Sequence, residues 1–235
     1  MKSLVFDSSS LISLSMNNLL WILEPLKAKY GGEFNIPASV KNETVDNPLR
    51  TKRFKFEALQ IVELLTKNTL TLYLNAEVKT LSAKLLDIAN NIFYINGHSL
   101  RIVHDGEMES LATVLLQKSD ALVIDERTTR VLIEEPEALA ALFERKFHTT
   151  IKVDNNKLKE FQKLIGYVYV IRSVEIATVA YNAGLLQRFA NSETKKTVKT
   201  NVKKDLLEGI LWGLKFKGCA VTDQEIEEIM KLEKV

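Results

Sequence analysis

A single cysteine, Cys219, stands in 235 residues, so no internal disulfide framework can form. With no Cys-x-x-Cys pair, the common structural zinc sites are excluded as well. This usage predicts a reducing, cytoplasmic setting. Histidine is scarce too: His98, His104 and His148 match no zinc-protease spacing. Glycine (9) and proline (4) are both below average usage, which argues for long helices and against a turn-rich β-sandwich. Long apolar runs are missing: Leu4 to Phe6 is cut by Asp7, and residues 8–23 are too rich in Ser and Asn to span a bilayer. No signal peptide and no membrane segment are expected. An excess of one charge is absent as well; the net +2 gives no whole-molecule field that announces a polyanionic partner. Neither a Gly-x-x-x-x-Gly-Lys-Ser/Thr loop nor a Gly-x-Gly-x-x-Gly turn occurs, so both common phosphate cradles are excluded.

What is present is a globular composition, 46% hydrophobic and 26% charged, in which short apolar runs alternate with helical periodicity. Strands are expected at residues 3–6, 34–36, 69–73, 121–124 and 167–171. Helices are expected at 8–30, from Pro37 to a break at Asn47-Pro48, at 56–65 with Leu59, Val62 and Leu65 on one side, at 78–94, from near Gly106, through Ile133, at 175–189, 206–216 and 223–232. This alternation predicts an α/β fold, a parallel central sheet with helices on both faces, followed by C-terminal helices. Residues 1–190 form one expected unit, with 136–165 as a helical insertion. Residues 191–204, which carry Lys195, Lys196, Lys199, Lys203 and Lys204, read as a linker, and 205–235 as a helical extension.

In parallel sheets of this kind, ligands bind outside the carboxyl ends of the strands. Asp7 directly follows the first strand and Asp125 the best central one; Glu43 lies in the helix after the second strand, and Glu107 opens the helix before the central one. Four carboxylates gathered without matching cations repel one another, and a divalent cation relieves that repulsion. Oxygen ligation suits Mg2+ or Mn2+. Each acid has a plainer role open to it as a helix cap, and Asp105 in particular suits an N-cap. A phosphatase of the haloacid-dehalogenase kind is excluded, because Ser9 stands two positions after Asp7 where a second Asp is needed.

The residues now in view resemble a known family, the PIN-domain nucleases. Leu4-Val5-Phe6-Asp7-Ser8-Ser9-Ser10 is similar to its opening strand and first acid. Ile36-Pro37-Ala38-Ser39-Val40 with Glu43 is similar to its second acidic position, Gly106-Glu107-Met108-Glu109-Ser110 to a Gly-Glu form of its third, and Leu122-Val123-Ile124-Asp125-Glu126 to its fourth. Val123 departs from the Thr or Ser that many toxin-like members carry there. Glu109 competes with Glu107 for the third place. The resemblance, over residues 1–190, implies a metal-dependent ribonuclease: Mg2+ or Mn2+ held by Asp7, Glu43, Glu107 and Asp125, with Ser9 and Glu109 behind them. It also implies RNA as substrate, with DNA not excluded, and leaves open a homodimer or an antitoxin-like protein partner.

Arg50, Lys52, Arg53 and Lys55 interleave with Phe54 and Phe56 shortly after Glu43, a pattern suited to a phosphate backbone and equally to a solvated helix start. Two functions therefore stand at this stage. One is a metal-dependent ribonuclease; the other is a non-catalytic PIN-like module whose acids serve as caps.

Overall fold

The computed structural model describes residues 2–190 and 200–233. Lys195, Lys196 and Lys199, with most of the expected linker, lie outside the described residues.

Strand β1 (Ser3–Phe6) is buried along its length, and Asp7 caps α1 (Ser8–Met16). Residues 8–30 were expected as one helix but form two. Asn18 takes φ 53, which Asn tolerates better than most residues, and a 3-10 turn (Leu20–Ile22) then leads into α2 (Leu23–Tyr30). β2 (Glu33–Ile36) leads to α3 (Ala38–Lys41), which runs through a π-helical turn (Asn42–Asp46) into α4 (Asn47–Arg50). Asn47-Pro48, expected as a break, is not one: Pro48 sits in the first turn of α4, where its missing N–H costs little.

Next come α5 (Lys55–Thr66), β3 (Thr71–Leu72), α6 (Glu77–Ala89), β4 (Phe93–Ile95), β5 (His98–Ser99) and α7 (Asp105–Gln117). The face of α5 that is buried carries Ala58, Ile61 and Leu64, whereas Leu59 is 55% exposed, so the expected stripe is rotated. The helix expected at 78–94 ends at Ala89, and Phe93 starts a hairpin that turns at Asn96-Gly97, both at positive φ. Asn-Gly is the strongest short-range hairpin signal, and helical periodicity masked it here. The chain closes through β6 (Ala121–Val123), α8 (Arg127–Glu134), α9 (Pro136–Phe147), β7 (Lys152–Val153), α10 (Asn155–Ile165), β8 (Val170–Ile171), α11 (Ser173–Asn182), a 3-10 turn (Leu185–Phe189), α12 (Val202–Phe216) and α13 (Asp223–Leu232). α12 begins inside the stretch read as a linker, with Asn201 capping it.

The five strands of the main sheet are ordered β3-β2-β1-β6-β8 and every pair is parallel, so the α/β architecture expected from the sequence is the one observed. A small antiparallel sheet, β5-β4-β7, stands apart. Alternation along the central strands divides the interior into two cores. Leu4, Phe6, Ala121 and Val123 face α1, α2, α5 and α11 to α13; Val5, Leu122 and Ile124 face α6, α7, α9 and α10. From the C-terminal helices, Leu207, Leu211 and Leu214 are fully buried in the first core, against which Trp21 and Trp212 also pack. From 136–165, Leu139, Phe143, Leu158 and Phe161 lie in the second. Among the described residues no helix is long and apolar enough to cross a membrane.

The chain leaves β1 toward β2 and β3 on one side and later returns to β6 and β8 on the other. The order of the strands reverses between β1 and β6, the point at which open α/β sheets in general bind ligands. Asp7 follows β1 and Asp125 lies just past β6, both buried.

Candidate functional site

Asp7 is 2% exposed yet carries its carboxylate at the end of β1. One oxygen, Oδ2, accepts the Ser9 N–H (3.0 Å) and the Ser9 hydroxyl (2.7 Å), while Oδ1 accepts the Ser110 hydroxyl (3.0 Å). Ser110 lies three residues after Glu107, on the same face of α7, a spacing from which its part could have been read. Burial raises the pKa of Asp7, against the hydrogen bonds from Ser9 and Ser110 that lower it. The hydroxyl expected two positions before the fourth acid is missing at Val123, and Ser10 donates to the Val123 carbonyl instead (3.0 Å).

Glu107, in the first turn of α7, accepts the His104 N–H and so caps its own helix. Burial pushes its pKa up to about 7; the His104 N–H opposes this, and the charges of Asp7, Glu126 and Glu43 add to it. Glu43 projects from the π-helical turn. Burial raises its pKa, Ser8 lowers it by hydrogen bonding, and Asp7 and Glu109 raise it further. The Glu43 carboxylate rests on Gly106: a Cβ placed there would stand 2.6 Å from Glu43 Oε1. The glycine before Glu107 thus makes room for the second acid. Glu109, on the same helix, accepts the Ser39 N–H (3.1 Å) at the start of α3.

Asp125 is fully buried, but both its oxygens are engaged elsewhere: Oδ1 accepts the Ser173 N–H (2.7 Å) and Oδ2 the Ser173 hydroxyl (2.6 Å), at the start of α11. Its carbonyl accepts the Ala220 N–H (3.2 Å). Burial pushes the neighbouring Cys219 thiol up to about 12, with the Asp125 charge adding to it. A link back to Asp7 runs through Ser9, whose hydroxyl accepts the Asp125 N–H (3.0 Å). The next residue, Glu126, caps α8 through the Thr128 and Thr129 N–H groups, and its charge reaches Glu107. The charges of Asp7, Glu43 and Glu107 thus reach one another, with Glu109 acting on Glu43 and Glu126 on Glu107, while the Asp125 carboxylate is held by Ser173. Sequence reasoning missed Ser110, Ser173 and Glu126.

The donor chemistry of this group matches a hard divalent cation: carboxylate oxygens, none of them in an ion pair with Lys or Arg among the described residues. Their spacing is another matter. Among the described residues no three His, Cys, Asp or Glu side chains stand together as one metal-holding group. The donors fit such an ion in kind, and the side chains as they stand do not close a coordination shell.

Arg50 ends α4, and Lys52, Arg53 and Lys55 follow it; all four are exposed and none makes an ion pair among the described residues. Beside them a cavity of about 90 Å³ is lined by Ile12, Met16, Glu43, Pro48, Phe54 and Ile61, among others. Comparison of the chain with known proteins finds no matching family model, no matching curated protein and no matching solved structure.

Proposed function

We propose that this chain is a PIN-like, metal-dependent endoribonuclease that hydrolyses RNA phosphodiester bonds with Mg2+ or Mn2+. The observation that carries the reading is that the charges of Asp7, Glu43 and Glu107 reach one another near the end of β1 and add to burial in raising pKa values there, with His104 opposing the rise at Glu43 and no Lys or Arg paired to them among the described residues. Like charges kept together in a partly buried place cost stability unless a ligand offsets them. Asp7, Glu43 and Glu107 would hold the cation, and Ser9 and Ser110 fix the orientation of Asp7. A bound divalent cation supplies an activated water and offsets charge on the phosphate. RNA is named ahead of DNA, and the cytoplasm as location, on the resemblance and the cysteine usage alone.

Titration with Mn2+ tests the reading. A rise in melting temperature together with cleavage of labelled RNA, both lost in Asp7→Asn, is the expected result. Asp7→Asn should fold as well as the parent or better, since it removes a buried charge. No thermal shift and no cleavage with either metal would overturn the proposal. One observation favours the second reading, a non-catalytic module binding a protein or nucleic acid: Glu107, Glu109, Asp125 and Glu126 all accept backbone N–H groups at helix starts. In that case Asp7→Asn leaves RNA binding unchanged and metal has no effect.

A further inference from the structure

Between α4 and α5 the chain presents an arrangement that the acid group does not explain. From Arg50 to Phe56 there are four cations and no acid. Phe54 is 49% exposed and Phe56 66% exposed, with Leu59 (55%) one turn farther along α5. Phe54 adopts φ 62, a left-handed backbone that a bulky aromatic residue rarely takes, and it makes no side-chain cap for α5. Conformations of this kind persist where the surroundings over-determine them, and they cluster at binding sites. Thr51 supports the turn by donating to the carbonyls of Pro48 (3.1 Å) and Arg53 (2.9 Å). The guanidinium of Arg53 lies 5.7 Å from the centre of the Phe54 ring. The Phe54 ring also lines the cavity that Glu43 borders, so this surface is continuous with the acid group.

An occupant must therefore carry repeated negative charge and also offer flat apolar faces to two exposed rings. A duplex carries the charge but hides its faces in the stack; an acidic peptide carries the charge without the faces. A single-stranded nucleic acid has both. We propose that this segment is a stacking platform for an unpaired RNA strand, with bases on Phe54 and Phe56 and phosphates on Arg50, Lys52, Arg53 and Lys55. The choice of RNA over single-stranded DNA and the direction of the strand, toward Glu43, rest on the nuclease reading; the platform itself does not.

The test measures binding by fluorescence anisotropy in chelator, with a labelled single-stranded RNA of about 12 nucleotides and the same strand annealed to its complement. The single strand should bind at least ~10-fold more tightly than the duplex. Phe56→Ala should weaken it by roughly 5- to 100-fold, and Phe56→Tyr should keep it within about 3-fold. Lys52→Ala and Arg53→Ala should each lower the log-log salt slope by roughly 0.7. Equal affinity for duplex, no effect of Phe56→Ala, or competition by polyglutamate as effective as by RNA would overturn the platform. So would a dimer in sedimentation that Phe56→Ala dissociates, because the patch would then be covered by a second copy. Failure of the two proposals can be told apart. Phe56-dependent binding without any Mn2+-dependent cleavage removes the nuclease reading and leaves the platform; cleavage whose KM is unmoved by Phe56→Ala does the reverse.

Discussion

Gly106 occupies a helical position where alanine is intrinsically favoured by up to about 1 kcal/mol. Its lack of a side chain is explained by the Glu43 carboxylate resting on it. Gly106→Ala should therefore leave the melting temperature unchanged or raised, since the displaced atom is the end of a flexible side chain, while cleavage or Mn2+ affinity falls at least ~10-fold, as a displaced ligand requires. Equal loss of stability and activity would show a packing role instead. Glu107 makes a second test. Its folded pKa of about 7 lies above its ordinary 4.5, so the folded state disfavours the charged form. The stabilising contribution is complete below about pH 4.5 and is lost as pH rises through about 7. In chelator, Glu107→Gln should match the parent near pH 4 and exceed its stability near pH 8 by about 1–2 kcal/mol, a value discounted for partial solvent screening. Urea unfolding at the two pH values checks the sign.

At the scale of elements, α5 makes a clean pair of variants. Ile61→Ala should cost about 2–4 kcal/mol because Ile61 is 2% exposed in a packed core, whereas Leu59→Ala should change stability by less than about 0.5 kcal/mol. The rotation of the buried stripe on this helix shows why patterning alone is incomplete. In 58–65 apolar residues occur on more than one helical face, and only the neighbours, here α1 and the π-helical turn, decide which is covered. By contrast β1 and β6 were legible because a parallel strand buried on both faces carries a continuous apolar run, whereas β2 reads Glu-Phe-Asn-Ile and showed itself only by Phe34 and Ile36. The place of Asp7 was legible for the same reason, since it directly follows the β1 run. What Asp125 does was not: its capture by Ser173 joins residues 48 apart in sequence and depends on how α11 meets β6. Ser110 and Gly106, in turn, acquire meaning only once α7 is laid against β1 and the π-helical turn.

For the whole molecule, the C-terminal helices are part of the main core. Leu207, Leu211 and Leu214 are fully buried and Ile226 is 1% exposed, in the core that also holds Leu4 and Phe6. Leu211→Ala should lower global stability by about 2–5 kcal/mol in one cooperative transition, measured by calorimetry. A separate low-temperature transition, with the main one unmoved, would show instead that 200–233 melts on its own. Arg172 ties this region to the end of β6: it pairs with Glu175 and with Glu225 of α13, and donates to the carbonyl of Ala220, whose N–H donates to the Asp125 carbonyl.

The two tryptophans give the molecule a one-sided optical probe. Trp21 and Trp212 both pack against the core that contains α1, α5 and α12, and each lies by a cation, Arg188 at 3.8 Å and Lys215 at 4.8 Å from the ring centre. The core formed by α6, α7, α9 and α10 contains neither indole. Emission excited near 295 nm thus follows a single side of the sheet, whereas circular dichroism sums the helices of both. If the cores ever separate in time during refolding, the two signals will part, and the order in which they recover will name the side that forms first.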